Sequence, residues 1–196
     1  MSSLKARDLT TLHIGPISMN IDSGGCLALS GPSGSGKTLL LRALADLDPH
    51  EGGVLLDGSS QEACSGPEWR RKVAYLPAES AWWADRVGDH FEVTAAELRS
   101  DLELFALDPD CFDWQVDRLS SGERQRLALL RLLSIQPRAL LLDEPTANLD
   151  RDSTAAVEER IAHFRRETGA AVLWVSHDAD QRGRVADGEL LIGGDR

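Results

Sequence analysis

The sequence predicts an α/β fold with a mainly parallel sheet at its core. Three short apolar segments, residues 26–30, 139–142 and 171–175, each run directly into a polar motif, as buried parallel strands do. Helical patterns lie over 38–47, 122–133 and 154–168, and Gly169 follows the last of them in the position of a C-terminal cap. Because strands and helices alternate, we expect ligand chemistry at the carboxyl ends of the strands.

Length and composition fit one catalytic domain. The chain has 196 residues, of which 42% are hydrophobic, and this is enough for one well-buried core. Its formal net charge of −11 argues against a general attraction to nucleic acid or anionic lipid. No apolar stretch approaches the roughly 20 residues that span a bilayer, and residues 1–10 lack the features of a secretory signal. We therefore expect a cytoplasmic protein that binds no nucleic acid, does not insert into a membrane and contacts one only through a protein partner.

Residues 78–117 differ from the rest of the chain in charge. Between Asp85 and Asp117 there are ten acidic and two basic residues, an excess that accounts for most of the net charge. We predict an inserted, mainly helical lobe over 78–117, which divides the core into 1–77 and 118–196. Its charge indicates either a solvated surface that serves solubility or an electrostatic docking surface.

A glycine-rich segment after the first apolar strand has the pattern of a phosphate-binding loop. It fits G-x-x-x-x-G-K-[ST] and lies between a predicted strand and a predicted helix, as the mechanism requires. Glycines let successive backbone N–H groups point at phosphate oxygens, and the helix N-terminus adds the positive end of its dipole. We expect Lys37 to reach the outer phosphates and Thr38 to offer a hydroxyl to Mg²⁺. The predicted phosphate ligands are Gly31, Pro32, Ser33, Gly34, Ser35, Gly36, Lys37 and Thr38.

Acidic and imidazole side chains follow the two later apolar segments. Asp143 and Glu144 come directly after the run 140–142, and His177 comes shortly after 171–175. Asp143 can hold Mg²⁺, and Glu144 can orient or deprotonate a water that attacks a γ-phosphate, with Lys37 meeting the charge of the transition state. The imidazole of His177 could hydrogen-bond the γ-phosphate or that water. The alternatives are a surface turn for the carboxylates and a structural role for His177.

Residues 119–126 read LSSGERQR and closely resemble the LSGGQ signature of ATP-binding-cassette (ABC) proteins. Ser120 and Glu123 also form a capping box for the helix that follows, and both interpretations can hold at once. Further resemblance to the family comes from the phosphate loop, from 148–150, which is similar to the D-loop, and from His177, which is similar to the switch histidine. The resemblance therefore covers nearly the whole chain.

The resemblance implies a P-loop NTPase fold with a short antiparallel β part at the N-terminus, and ATPase activity with ATP and Mg²⁺ as cofactors. It implies a head-to-tail homodimer or heterodimer with a second cassette, in which Ser120, Ser121 and Gly122 face the ATP of the other subunit. Closure of that dimer would drive an integral membrane permease, which would hold the chain at the inner face of the cell membrane. By position, His13 is the residue implied to stack on adenine, and the alternative is an ordinary exposed loop histidine.

Several positions depart from the family pattern. Ala78 stands where the family has its Q-loop glutamine, with Glu79 beside it, and Ser121 stands where glycine is usual. These departures leave open a nucleotide-sensing module with little turnover. A soluble ABC-type ATPase, such as one for iron–sulfur assembly, also stays open, because it would not need a cysteine cluster of its own.

Trp82 and Trp83 lie where family members receive helices of their membrane partners. Two adjacent large aromatic side chains cannot easily share one buried face of a strand or helix. Either one of them is therefore exposed as an anchor for a partner, or both pack in the lobe. No residue identifies a transported substrate or its direction.

Overall fold

An antiparallel sheet forms the N-terminal part of the chain. The computed structural model describes residues 3–193. Strands β1 (Leu4–Thr10), β2 (Ile17–Ile21), β4 (Glu51–Leu56) and β5 (Ser59–Ser60) lie in the order β2-β1-β4-β5. This sheet is the antiparallel part that the family resemblance predicts.

A parallel sheet of five strands carries the candidate site. Strands β3 (Cys26–Ser30), β6 (Val73–Leu76), β7 (Ala139–Asp143), β8 (Ala171–Val175) and β9 (Gly188–Leu191) lie in the order β6-β7-β8-β3-β9. Every residue of β7 and β8 is buried, which explains their uninterrupted apolar sequences. The three predicted strands and the predicted α/β class are confirmed.

Helices pack on both sheets. They are α1 (Lys37–Leu44), α2 (Gly66–Lys72), α4 (Ser121–Ser134), α5 (Arg151–Thr168) and α6 (Ala179–Val185). The predicted helix over 38–47 ends early at Leu44, because Asp46 has a left-handed φ of 59° that turns the chain away. Gly169 closes α5 with a φ of 71°, as predicted. None of the helices in the described chain is long and apolar enough to cross a membrane.

Residues 78–117 contain one short helix, α3 (Arg99–Leu104), and 3₁₀ turns at Gly88–His90, Pro109–Asp113 and Val116–Arg118. Leu102 and Phe105 are buried in the same hydrophobic cluster as Leu127 of α4. Arg160 of α5 also forms a largely buried ion pair with Asp101 of α3. The segment therefore packs directly on the helices of the core, and its division from the core at 78 and 117 stays a prediction.

Candidate active site

The phosphate-binding pattern forms a tight loop between β3 and α1. Lys37 is only 8% exposed, and its Nζ donates hydrogen bonds to the carbonyl oxygens of Gly31, at 2.8 Å, and Pro32, at 2.9 Å. The loop requires glycine at two points. A Cβ on Gly31 would lie 2.2 Å from a backbone oxygen of Ile192, and one on Gly36 would lie 2.3 Å from a methyl carbon of Ile14. The backbone can therefore curl tightly here, as a phosphate cradle needs.

Asp143 accepts hydrogen bonds from two hydroxyl groups. Thr38 Oγ1 donates to Asp143 Oδ2 at 2.7 Å, and Tyr75 Oη donates to the same oxygen at 3.2 Å. Burial of the Tyr75 phenol, and then the nearby Asp143 charge, raise the pKa of Tyr75, so the phenol stays protonated and donates. Sequence reasoning missed Tyr75. The signal that could have found it is its place near the carboxyl end of β6, the strand beside β7.

The side-chain oxygens of Thr38 and Asp143 suit a hard cation. Thr38 and Asp143 offer a hydroxyl and a carboxylate in direct contact, and Asp143 is only 5% exposed. Within residues 3–193 there is no cluster of three or more His, Cys, Asp or Glu residues able to hold a metal ion. This small donor set fits Mg²⁺, which commonly takes one or two protein ligands and completes its shell with phosphate oxygens and water.

Glu144 and His177 meet at the neighbouring strand ends. His177 Nε2 lies 2.9 Å from Glu144 Oε1, and the side chains are 53% and 31% exposed respectively. The Glu144 N–H donates to the carbonyl oxygen of Val175 at 3.2 Å, which ties the turn after β7 to the end of β8. Glu144 has a left-handed φ of 50°, a conformation that costs a non-glycine residue about 1–3 kcal/mol and is common at functional turns. The two predicted side chains therefore share one accessible crevice.

A cavity of about 570 Å³ lies beside the phosphate loop. His13, from the loop between β1 and β2, lines it together with Gly34 and Ser35 of the phosphate loop. Leu191 and Gly193 also line this cavity. The structure thus places His13 where a base attached to phosphates in the loop could reach it, and its stacking role stays a prediction.

The signature residues begin α4. Ser120 Oγ donates to Glu123 Oε2 at 2.7 Å, the Ser120 N–H donates to the same oxygen at 2.9 Å, and the predicted capping box is therefore present. A Cβ on Gly122 would lie 3.4 Å from a methyl carbon of Leu149, so this helix start borders the residues similar to a D-loop. In the described part of the chain, no hydrogen bond joins Ser120, Ser121 or Gly122 to the loop 31–38. Their contact with the ATP of a second subunit stays a prediction.

The two tryptophans after the Q-loop position differ in exposure. Trp82 packs against the hydrophobic cluster around α4, whereas Trp83 is 70% exposed. His90 lies against both rings, with centroid distances of 4.7 and 4.6 Å, and its Nε2 accepts the backbone N–H of Trp83 at 2.9 Å. Arg131 of α4 lies over the Trp83 ring, 4.7 Å from its centroid. Of the two arrangements predicted for this pair, the structure has the one with an exposed tryptophan. Nearby, Ala78 and Glu79 are also exposed.

Comparisons with known proteins agree with the geometry. Residues 14–147 match the family described as ABC transporter. The chain is 38% identical over 186 residues to Protein STAR1 of Oryza sativa subsp. japonica, covering 90% of this chain and 54% of that protein. It is 34% identical over 175 residues to the probable iron export ATP-binding protein FetA of Escherichia coli K12, covering 84% of this chain and 78% of that protein. The fold matches a solved ATP binding subunit of an ABC transporter with a TM-score of 0.85 and 23% identity, over 96% of this chain and 85% of that one.

Proposed function

The chain belongs to the ABC transporter family, and on that premise we propose that it hydrolyses ATP to power a membrane transporter. One observation carries the proposal. A buried lysine, a hydroxyl–carboxylate pair and a glutamate–histidine pair meet at the carboxyl ends of adjacent parallel strands, next to a cavity large enough for a nucleoside. These groups supply the phosphate clamp, the metal ligands and the water-orienting base that phosphoryl transfer to water needs.

Lys37 and the loop 31–38 hold the phosphates. In the structure the Lys37 ammonium donates to two loop carbonyl oxygens, so its position is set before a nucleotide arrives. With ATP in the loop, the same ammonium donates to oxygens of the outer phosphates. Thr38 and Asp143 would hold Mg²⁺, which supplies positive charge to the β- and γ-phosphate oxygens when bound.

Glu144 and His177 act on the attacking water. Glu144 accepts a proton from the water as the water oxygen bonds to the γ-phosphorus and the bond between that phosphorus and the ADP oxygen breaks. His177 Nε2 lies 2.9 Å from Glu144 Oε1 and can turn its N–H toward a γ-phosphate oxygen. Both side chains are accessible, so the water can enter from solvent before closure.

A second cassette completes the site. Ser120 and Ser121 are exposed at the start of a 14-residue helix, where a hydroxyl and free backbone N–H groups can bind the phosphates of a facing subunit. The second cassette can be an identical chain or a different one. The hydroxyl of Ser121, in place of the usual glycine, adds a donor at this contact.

The permease partner is proposed to contact the surface around Trp83. A cavity of about 430 Å³ lies there, lined by Ser80, Trp82, Trp83, Asp117 and Arg124 among others. A large exposed aromatic ring held by His90 and Arg131 is a typical anchor at protein interfaces. Such a contact would locate the chain at the inner face of the cell membrane.

Two other functions are less well supported. A sensing module with little turnover is suggested by Ala78 and Ser121, but such a module has no need of an aligned Glu144–His177 pair. A soluble ATPase of the same family would have the same site. The exposed Trp83 favours a partner-bound role, although it does not distinguish a membrane partner from a soluble one.

The substitution Glu144→Gln tests the hydrolytic mechanism. We expect ATP binding to be kept and turnover to fall by about 10²–10⁴-fold, the usual contribution of a positioned general base. Glu159→Gln, at an exposed carboxylate on α5, is the matched control and should hydrolyse like the parent. Parent activity should rise more than linearly with protein concentration, because each site needs the Ser120 of a second subunit.

Two results would contradict the proposal. Parent-like turnover of Glu144→Gln would remove Glu144 as the base, and a parent chain without turnover, alone or with its partner, would favour the sensing module. The partner is identified by loading Glu144→Gln with ATP in the native host and solubilising membranes in mild detergent. Copurification of a polytopic membrane protein supports the transporter, and recovery of soluble proteins only would favour the cytosolic ATPase.

A further inference from the structure

A buried glutamine connects the two segments that carry Glu144 and His177. Gln181 of α6 is only 3% exposed. Its Nε2 donates to Thr146 Oγ1 at 2.9 Å and to Glu158 Oε1 at 2.8 Å. Thr146 comes two residues after Glu144, and α6 begins just after His177. One amide therefore links the turn after β7, helix α5 and helix α6.

The orientation of the Gln181 amide is set by Glu158 and Arg184. Arg184 donates to both oxygens of Glu158, from Nη2 at 2.9 Å and from Nε at 3.2 Å. The Glu158 side chain is 16% exposed and that of Arg184 is 52% exposed, so the contact holds a largely buried carboxylate from the solvent side. Because Glu158 accepts a hydrogen bond, it requires the NH₂ group of Gln181 rather than the carbonyl oxygen on its side. Thr146 contacts both ends of the amide thus oriented, because its Oγ1 accepts from Gln181 Nε2 at 2.9 Å and lies 3.3 Å from Gln181 Oε1 as a donor.

Helix α6 also sets the position of His177. Arg182 Nη1 donates to the carbonyl oxygen of Ser176 at 3.0 Å, and Asp178 caps the helix by accepting the backbone N–H of Asp180 at 2.9 Å. His177 lies between these two anchored residues. A shift of α6 relative to the turn after β7 would therefore move the imidazole relative to Glu144.

The exposed Glu144–His177 contact is too weak to hold these segments itself. The side chains are 31% and 53% exposed, and ion pairs of such exposure contribute little to stability. The buried side chain of Gln181 meets Thr146 beside a cavity of about 390 Å³, which Glu144, Thr146, His177 and Gln181 all line. The buried contact is thus the one able to set the geometry of the exposed one.

We propose that Gln181 is a positioning residue for ATP hydrolysis, whose buried amide fixes the spacing between Glu144 and His177. The inference rests on the proposed function, in which these two side chains orient the attacking water. Misplacement of a reacting group by about 1 Å can cost up to about 100-fold in rate. Since Gln181 and Thr146 lie outside the phosphate loop, the effect should fall on kcat and leave KM for ATP nearly unchanged.

The test compares two buried glutamines. Gln181→Met keeps the length of the side chain and removes its hydrogen bonds, and we expect kcat to fall about tenfold with KM for ATP within twofold of the parent. Gln61→Met is the matched control, because Gln61 is 6% exposed and its Nε2 donates to Asp46 Oδ1 at 2.8 Å beside the antiparallel sheet. Both variants should lose some thermal stability, but only the first should lose kcat.

Thr146→Val tests the same contact without changing the glutamine. It removes the hydroxyl at almost constant shape, and we expect the double variant with Gln181→Met to be no slower than Gln181→Met alone. In crystals of Gln181→Met with an ATP analogue, the Glu144–His177 distance should be longer than in the parent. That readout does not depend on turnover.

The outcomes separate this inference from the proposed function. If Gln181→Met and Thr146→Val keep the kcat of the parent while Glu144→Gln loses it, Gln181 has only a structural role and the inference is wrong. If Glu144→Gln hydrolyses like the parent, Glu144 is not the base of the proposed mechanism, and this failure is distinct from that of Gln181. A tenfold loss of kcat shared by Gln181→Met and Thr146→Val, absent in Gln61→Met, supports the positioning role.

Discussion

The carboxyl edge of the parallel sheet, where β3, β7 and β8 end, and the segment 78–117 hold their side chains in place by different means. At this carboxyl edge, Asp143 is the last residue of β7 and His177 lies two residues after β8. Every residue of both strands is buried, so the register of the strands sets the positions of the two side chains. In 78–117 the α-helix has only six residues, and side chains such as His90 and Asp101 are held by individual contacts. The comparison implies that substitutions at the edge change binding and chemistry, whereas substitutions in 78–117 change stability.

The largest effect is expected from Lys37→Met at the sheet edge. The buried ammonium is lost, and with it the charge-assisted hydrogen bonds to phosphate, so ATP affinity should fall about 100-fold, or about 2.7 kcal/mol. Thermal stability should change little, because the loss of two hydrogen bonds to the loop carbonyl oxygens is offset by removal of a buried charge that is costly to desolvate. Calorimetric titration with ATP measures the first quantity and thermal unfolding the second.

Lys72→Met, at an exposed lysine ending α2, is the control for that experiment and should bind ATP like the parent. Undiminished affinity in Lys37→Met would show that the loop backbone alone binds the phosphates. A large loss of stability instead would contradict the distinction between the two regions.

His90→Ala in the segment 78–117 should lower stability and leave ATP affinity nearly unchanged. The change removes the acceptor for the backbone N–H groups of Trp83 and Ala84, at 2.9 and 3.0 Å, and the ring between two tryptophans. We expect a loss of about 2 kcal/mol in the free energy of unfolding, at about 1 kcal/mol for each hydrogen bond, with the ATP affinity within twofold. Chemical denaturation and hydrogen exchange at residues 82–84 measure it.

His163→Ala is the matched control. His163 is 55% exposed and pairs with Glu167 one turn along α5, so its loss should cost less than about 0.5 kcal/mol. Equal destabilisation by both histidine variants, or weakened ATP binding in His90→Ala alone, would break the comparison.

The smallest expected effect is a pH dependence of stability that arises from Glu123 at the start of α4. Hydrogen bonds from the Ser120 side chain and backbone hold the pKa of Glu123 below its usual range. Because the folded state favours the ionised form, the stabilisation is present above the unfolded pKa of about 4.3 and is lost as pH falls through the lower folded value. Glu123→Gln should therefore cost about 1 kcal/mol or less near pH 7 and nothing at strongly acidic pH.

Urea unfolding of parent and Glu123→Gln at several pH values measures this difference. Glu97→Gln sharpens the comparison, because Thr94 and Glu97 form the same type of box within 78–117 and the pKa of Glu97 is likewise lowered, by backbone and side-chain hydrogen bonds from Thr94. If 78–117 depends on individual contacts, Glu97→Gln should lower the protection of the amides of this segment from hydrogen exchange. The free energy of global unfolding should change less. If the difference in the free energy of unfolding between parent and Glu123→Gln grows as the pH falls, the folded state does not favour the ionised form of Glu123.

The sequence by itself determined the parallel core, the phosphate loop and the order of its chemical groups. Buried strands read as uninterrupted apolar runs, and the loop and the capping box are signals confined to eight residues or fewer, so no distant partner is needed to see them. The end of α1 was misjudged because Ala45 to Leu47 are compatible with a helix, and only the left-handed backbone of Asp46 excludes it.

Only the tertiary structure decided which side chains meet. Tyr75 reaches Asp143 across two strands that are distant in sequence, and Gln181 reaches Thr146 across 35 positions of the chain. A lone tyrosine or glutamine carries no local signal for such a contact. The physical reason is that a hydrogen bond depends on distances of a few tenths of an ångström, and these follow from sheet register and helix packing rather than from the residues next in sequence.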